Sequence, residues 1–253
     1  MIIEYETRDH TALITLNRPE ARNAVNHEVA EGIENALDEF EADDDLWTGI
    51  LCANGPAFSA GADLKAISAG ELNLATKRGG FGGIVARERI KPLIAAVDGP
   101  ALAGGTELAL ACDLIVASKV ARFGLPEVKR SLIASAGGLV RLPRVLPKNI
   151  AMQMALTGEP ISAEKAHRFG MVNILVEAGE ALNESLLLAE MINENAPLAV
   201  RATRRSLLES LTMNDNDGMK FAIEETAALA ATEDYKEGPL AFIEKRPPIW
   251  KGK

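Results

Sequence analysis

One stretch of the chain combines glycines with an acidic residue in a pattern that could support proton transfer. Gly104 and Gly105 follow an apolar run, and Glu107 comes three residues after Gly104. Three residues are about one turn of a helix, so the Glu107 carboxylate could reach the volume that the Gly104 N–H faces. Unpaired N–H groups at a helix N-terminus favour negative charge. The pattern indicates an oxyanion donor beside a proton-transfer group; a first-turn acid that only complements the helix dipole is the alternative.

Hydrophobic periodicity predicts the elements that position this stretch. Residues 93–97 form a buried strand, and the glycines after it form a turn that leads into the helix of Glu107. The predicted elements before it are an antiparallel strand pair (2–16), a helix capped by Asn26 (26–40) and a strand (47–53). This order of strand, strand and helix differs from the simple alternation of a doubly wound sheet.

Three irregular segments could complete a site around Glu107. Residues 58–64 are mostly small and would let a ligand approach the backbone closely. Residues 65–90 carry a glycine cluster around Phe81 and predict either a mobile cover over the site or a plain surface loop. Residues 123–127 predict a loop that carries a second acid, Glu127.

The chain becomes mainly helical after residue 137. The predicted helices are residues 139–146, 151–156, 163–169, 182–192, 198–211 and 219–231, with one strand at 171–176 and a tail at 242–248. The last helices are amphipathic, and we expect them to pack on a partner.

Composition excludes several classes of protein. A net charge of −9 disfavours nucleic acid as a principal partner, because nucleic-acid affinity depends on Lys and Arg. Two cysteines in apolar patterns and an acidic N-terminus predict a cytoplasmic protein without a disulfide framework, a signal peptide or a membrane span. Three scattered histidines do not match metal-ligand spacing, so no metal site is expected. The sequence also contains no GxSxG, GxxxxGK or GxGxxG motif.

Six segments, in order along nearly the whole chain, together resemble the crotonase, or enoyl-CoA hydratase, superfamily. They are NRP (17–19) with Asn23-Ala24, AFSAGADLK (57–65), KPLIAAVDGPALAGGTELALACD (91–113), FGLPE (123–127), AGG (136–138) with RLPR (141–144), and FIEKR (242–246). Each segment alone is a weak signal, and the ordered set is specific.

The resemblance implies an α/β crotonase (ClpP/crotonase-like) fold. In this fold, repeated ββα units form two roughly perpendicular sheets, and C-terminal helices mediate a homotrimer that is commonly paired into a hexamer. For this chain it implies a core domain at residues 1–195 and a helical oligomerisation region at residues 196–253. It also implies an acyl-CoA thioester as the substrate, with CoA entering as part of that substrate and no separate cofactor.

The resemblance also implies roles for four residues. The two oxyanion-hole N–H groups fall on Ala62 and Gly104, and the two catalytic glutamates fall on Glu107 and Glu127. Retention of both glutamates favours hydration or dehydration, with Glu107 activating water for addition at C3 and Glu127 supplying the proton at C2. Backbone donors in small-residue loops suit the enolate oxygen of a thioester. Close carboxyls disfavour double ionisation and titrate as a pair.

Further positions match the ligand-binding path of the family. Those along the CoA nucleotide and pantetheine are Arg22, Ala24, Ala60, Asp63, Leu64 and Lys65. Phe242 and Lys245 match a C-terminal pair that reaches the ligand of a neighbouring subunit. Ser135 stands where the family has a glycine whose backbone lies near the catalytic water.

The chain departs from many hydratases in the segment after Glu127. Ser131 and Ala134 replace a glycine and a proline, which together with Ser135 affects the expected placement of water. The segment resembles the carnitinyl-CoA dehydratase and actinobacterial hydratase branches. Two alternatives stay open: an enoyl-CoA isomerase or other acyl-CoA lyase, and a non-catalytic acyl-CoA-binding protein.

Overall fold

The strands of the computed structural model, which describes residues 1–70 and 73–253, form three sheets within those residues. The strands are β1 (Ile3–Arg8), β2 (Thr11–Leu16), β3 (Thr48–Ala53), β4 (Ala75–Thr76), β5 (Gly80–Phe81), β6 (Leu93–Val97), β7 (Pro100–Leu102), β8 (Leu114–Ser118), β9 (Arg122–Gly124), β10 (Ile161–Ser162) and β11 (Ile174–Val176). The large sheet has the order β1-β2-β3-β6-β8-β11, and the smaller sheets are β10-β9-β7 and β4-β5.

Helices follow or cover these strands. They are α1 (His27–Ala42), α2 (Leu64–Ser68), α3 (Gly104–Ala111), α4 (Gly138–Val145), α5 (Lys148–Thr157), α6 (Ala163–Arg168), α7 (Ala181–Asn193), α8 (Pro197–Ser210), α9 (Asp215–Leu229) and α10 (Glu233–Glu244), with 3-10 helices at Pro19–Ala21 and Pro126–Arg130. None of the helices in this described part of the chain is long and apolar enough to cross a membrane.

The centre of the large sheet is apolar on both faces, and its buried strand β6 leads towards the helix that carries Glu107. β6 reads LIAAV and is buried along its length, as expected for a parallel strand that is covered on both sides. One face packs against a core that includes α1 and α3, and the other packs against α7. The α3 helix follows β6 through β7, so Glu107 lies in the first turn of the helix that this strand leads into.

The predicted antiparallel pair and the predicted cap are confirmed. β1 and β2 pair antiparallel from Ile3 with Leu16 to Arg8 with Thr11. The Asn26 side chain accepts a hydrogen bond of 3.0 Å from the Val29 N–H and so caps α1. The expected combination of α/β sheets with a C-terminal helical region is also present.

Some predicted elements differ from the structure. β7 and β9 lie in stretches predicted as a turn and a loop, because their short runs are stabilised by pairing with each other across 22 residues of sequence. α9 begins at Asp215 rather than at Met219, since Asn214 caps it. α10 continues to Glu244 through residues predicted as tail. Part of the predicted cover, residues 71 and 72, lies outside the described residues.

The C-terminal helices join the core through a charged contact. Arg204 of α8 lies 2.9 Å from Asp113, which also forms an ion pair of 3.0 Å with Arg89. α8 begins at Pro197, next to the predicted boundary at residues 195 and 196. The division into a core domain and an oligomerisation region stays a prediction.

Candidate active site

The turn between β7 and α3 presents backbone donors. Gly104 is the first residue of α3, so its N–H has no acceptor within the helix. The preceding residue, Ala103, has φ of 53° and donates its own N–H to Gly124 O over 2.8 Å. The Thr106 hydroxyl lies 2.7 Å from Ala101 O, 2.9 Å from Gly124 O and 3.0 Å from the Gly124 N–H that donates to it. These bonds fix the start of α3 against β7 and β9.

A second backbone segment approaches Gly104 so closely that side chains are excluded. A Cβ at Gly61, whose φ is 84°, would lie 2.6 Å from the Gly104 nitrogen. A Cβ at Gly104 would lie 2.5 Å from two ring atoms of Phe81, so that ring packs directly on the Gly104 backbone. Only glycine fits both positions without movement of the chain.

The Ala62 N–H belongs to the same arrangement. Val25 donates to Gly61 O over 2.7 Å and accepts from the Asp63 N–H over 2.9 Å. In this parallel bridge the N–H of the middle residue, Ala62, points away from Val25. Ala62 therefore presents a backbone donor beside the Gly61–Gly104 approach.

Glu107 is held at a second helix N-terminus. Its side chain is buried, with the residue 3% exposed, and Oε1 accepts a hydrogen bond of 2.9 Å from Gly138, the first residue of α4. The pKa of Glu107 is raised from 4.5 to about 7: burial is the largest cause and the charge of Glu127 adds to it, whereas the Gly138 and Ala136 N–H groups and the Arg141 charge act in the opposite direction. Near neutral pH this carboxyl therefore changes its protonation state.

Glu127 supplies the second carboxyl. It lies in the 3-10 helix Pro126–Arg130, three residues after the Gly124 that Thr106 binds. Burial raises its pKa, and its Oε2 atom is buried without a hydrogen-bond partner among residues 1–70 and 73–253. A buried acceptor of this kind favours a ligand that supplies a proton or an N–H or O–H donor.

The arrangement can stabilise an oxyanion and move protons at one place. Ala62 and Gly104 present backbone N–H groups from two adjoining segments, and the charge of Glu127 acts on the buried Glu107 carboxyl three residues after Gly104. Preorganised donors of this type stabilise charge that develops on a carbonyl oxygen, and carboxyls with raised pKa values suit general acid–base catalysis near neutral pH.

The predicted CoA-binding residues lie together on a rim beside Ala62. Arg22, Ala60, Leu64 and Lys65 are exposed, and Ala60 donates its N–H to Arg22 O over 3.0 Å. Ala24 and Asp63 are buried instead. The Asp63 carboxylate caps α2 and pairs with Arg18 at 2.6 Å, a contact that lowers its pKa.

Three further predicted positions lie elsewhere. Ser135 is exposed in the connection that leads to α4, three residues before Gly138. Phe242 is 86% exposed near the end of α10, and Lys245 follows that helix with φ of 55°. In the described part of this chain, no hydrogen bond or ion pair links Phe242 or Lys245 to Glu107 or Gly104.

Sequence reasoning assigned no role to several residues that build the site. Gly61, Phe81, Thr106 and Gly138 each fix the position of a donor or a carboxyl through contacts between distant segments. Gly61 and Gly138 lie inside the segments that carry the family resemblance. That location was the signal by which the sequence could have marked them as part of the site. The partners of Phe81 and Thr106 could not be read from the sequence, because they depend on long-range packing.

Comparison with known proteins gives close similarity over the whole length. Residues 6–253 match the model of the enoyl-CoA hydratase/isomerase family. An enoyl-CoA hydratase of Mycobacterium tuberculosis is 40% identical over 254 residues, which cover 98% of this chain and 96% of that protein. A carnitinyl-CoA dehydratase of Salmonella enteritidis is 39% identical over 247 residues, covering 95% and 94%. The crystal structure of an enoyl-CoA hydratase from Mycobacterium marinum has a TM-score of 0.96 at 49% identity, covering 100% and 99%.

Proposed function

Because the chain belongs to the enoyl-CoA hydratase/isomerase family, we propose that it adds water across the C2–C3 double bond of a 2-enoyl-CoA thioester to give a 3-hydroxyacyl-CoA, or catalyses the reverse dehydration. The observation that carries this proposal is the pair Glu107 and Glu127 beside the Gly104 N–H. Hydration requires an acid, a base and a donor for the thioester oxygen, and these three groups meet that requirement.

Each of the four groups has one role in the addition of water. Ionised Glu107 accepts a proton from water as the water oxygen bonds to C3. The electron pair of the double bond moves to the thioester oxygen, and the Ala62 and Gly104 N–H groups bind the resulting enolate. Protonated Glu127 then delivers its proton to C2, which restores the carbonyl. Transfer of the proton from Glu107 to Glu127, directly or through solvent, resets the pair.

The electrostatics support an acid–base role for the pair. A base works best when its pKa lies near the operating pH, and the pKa of Glu107 is about 7. Mutual repulsion keeps one proton within the pair, so the site can hold an acid and a base together. Both carboxyls act on one face of the substrate, which gives syn addition.

We assign the rim to the CoA moiety. Arg22 and Lys65 place two exposed cations near Ala62, and local cations can bind phosphates on an acidic protein. Ala24, Ala60, Asp63 and Leu64 shape the path of the pantetheine in this proposal. No further cofactor is needed. R22M and K65M variants should raise KM for enoyl-CoA with little change in kcat.

We also propose that the protein forms a homotrimer, or a hexamer made of two such trimers. In this assembly, Phe242 and Lys245 reach the ligand of a neighbouring subunit. The support is the exposure of large apolar side chains on the C-terminal helices. These include Leu207, Leu211, Ile223, Phe242 and Ile243. Sedimentation of the whole protein measures the oligomer, and a monomer at micromolar concentration would contradict this proposal.

The decisive experiment follows loss of the conjugated thioester absorbance with a panel of enoyl-CoA substrates. E107Q and E127Q should each lower kcat by about 100-fold or more. E190Q, at an exposed position of α7, is the matched control and should match the wild type. No turnover of any chain length by the wild-type protein would overturn the proposal.

The same variants separate the alternatives. An isomerase would move a double bond from C3–C4 to C2–C3, keep most activity in E107Q and lose it in E127Q. A binding protein would hold enoyl-CoA without turnover, and neither substitution would alter that result. The isomerase is the second candidate because the matching family includes isomerases.

A further inference from the structure

Arg141 lies on α4, one turn after the residue that binds Glu107. Its guanidinium folds back over the start of the helix, so that a Cβ at Gly137 would lie 2.1 Å from Nη1. Its Nη2 donates a hydrogen bond of 2.6 Å to Val85 O. The guanidinium is therefore held by the hydrogen bond to Val85 and packs closely on the Gly137 backbone.

These contacts join two segments of the site. Gly137 and Gly138 form the α4 N-terminus that binds the Glu107 carboxylate. Val85 ends the segment that places Phe81 against Gly104, and Val85 itself donates to Phe81 O. Arg141 thus connects the carboxylate side of the site with the oxyanion side.

The charge of Arg141 is not neutralised by a carboxylate in contact. Of the ion pairs formed by residues 1–70 and 73–253, none includes Arg141. Its charged neighbours are the cations Arg89 and Arg144, and Arg89 is already paired with Asp113. Glu107 is the carboxyl whose charge attracts it. A guanidinium stays protonated, so this attraction persists at any working pH.

We propose that Arg141 is a positioning residue for the hydration reaction: its guanidinium places a positive charge beside the α4 N-terminus that binds Glu107, and it holds that N-terminus and the Phe81 segment in register. The inference rests on the proposed function of Glu107 as the base. The charged side chains that face Glu107 are Glu127 and Arg141, and their effects on it are opposite. Removal of the Arg141 charge leaves burial and Glu127 opposed only by backbone N–H groups.

Two substitutions separate the charge from the hydrogen bond. R141Q removes the charge but keeps an amide donor for Val85 O, and R141K keeps both a charge and a donor. R144Q removes the neighbouring exposed arginine of the same helix and is the matched control. Circular dichroism and thermal unfolding establish that each variant is folded.

The first readout is the pH dependence of kcat/KM with an enoyl-CoA. R141Q should move the acidic limb to higher pH by half a pH unit or more. At pH values below this limb, kcat/KM should then be about threefold lower than in the wild type. R141K and R144Q should keep the wild-type limb, and KM should change less than kcat in R141Q. An R141Q limb that coincides with that of R141K overturns the inference, because a purely structural role would lower activity without moving the limb.

The second readout does not depend on turnover. Infrared titration of the protonated carboxyl band, with the E107Q form of each protein subtracted, follows Glu107 itself. An upward shift of this titration in R141Q relative to R141K supports the inference even when no enoyl-CoA is hydrated, and coincident titrations overturn it. Absence of hydration by the wild type would contradict the proposed function alone, so the two failures are distinguishable.

Discussion

Thr106 and Gly124 bind each other through both backbone groups of the glycine: the Gly124 N–H donates to Thr106 Oγ1 over 3.0 Å, and Oγ1 lies 2.9 Å from Gly124 O. Thr106 precedes Glu107, and Gly124 lies three residues before Glu127. This single hydroxyl therefore sets the relative position of the segments that carry the two carboxyls.

Replacement of Thr106 by Val should damage both stability and activity. T106V keeps the shape but leaves the buried Gly124 N–H without its acceptor and removes the hydroxyl donor beside Ala101 O, at a cost of about 1–3 kcal/mol. T106S keeps the hydroxyl and should lose less than half of that. Urea denaturation and kcat measure the two effects, and equal losses in both variants would contradict the role of the hydroxyl.

Gly61→Ala should abolish most activity. The new Cβ would lie 2.6 Å from the Gly104 nitrogen and 2.8 Å from the Ala103 Cβ, so the two backbone segments must separate. Loss of an oxyanion donor typically lowers kcat by about 100-fold or more. G70A is the control, because Gly70 also has a positive φ but has no described atom within 4 Å of its Cβ position. Full kcat in G61A would contradict the placement of the donors.

The pH dependence of stability should reveal the buried Glu107. Its pKa is raised from 4.5 to about 7, so between these pH values the folded state binds more protons than the unfolded state. Stability therefore falls as pH rises through this window, by about 3 kcal/mol for the full shift.

Glu107→Gln removes this penalty. We expect E107Q to unfold at a higher temperature than the wild type at pH 8, with a difference that shrinks towards pH 4. The exposed variant E190Q should show no such trend. Calorimetry across this pH range provides the measurement, and a difference that is constant with pH would show that the carboxyl is not the source.

Ser131→Gly should stabilise the protein. Ser131 ends the 3-10 helix of Glu127 with φ of 59° and ψ of 34°, a left-handed conformation that favours glycine. We expect a gain of up to about 1 kcal/mol in the free energy of unfolding. S131A keeps the strain and should match the wild type or fall below it. A destabilised S131G would indicate that the hydroxyl compensates for the strain.

The sequence predicted those parts of the fold and site that depend on local pattern. Asn26 was predicted as a cap because capping depends on residues three apart. The placement of Gly104 and Glu107 in the first turn of one helix followed from helical spacing. The roles of Ala62 and Glu127 required a family resemblance, since neither segment has a periodic signal.

Contacts between distant segments could not be predicted in this way. The Gly138 N–H meets Glu107 across 31 residues, and Phe81 packs on Gly104 across 23. Both depend on how α4 and the glycine-rich segment pack against α3. β7 and β9 were missed for the same reason, because each is stabilised by its partner rather than by its own residues.

In the proposed reaction, the groups that meet negative charge are main-chain N–H groups of Gly104, Ala62 and Gly138. A point mutation cannot delete a main-chain N–H unless it introduces proline. These donors therefore survive most substitutions, and their geometry depends instead on the small residues at 61 and 104 that let the two backbone segments meet.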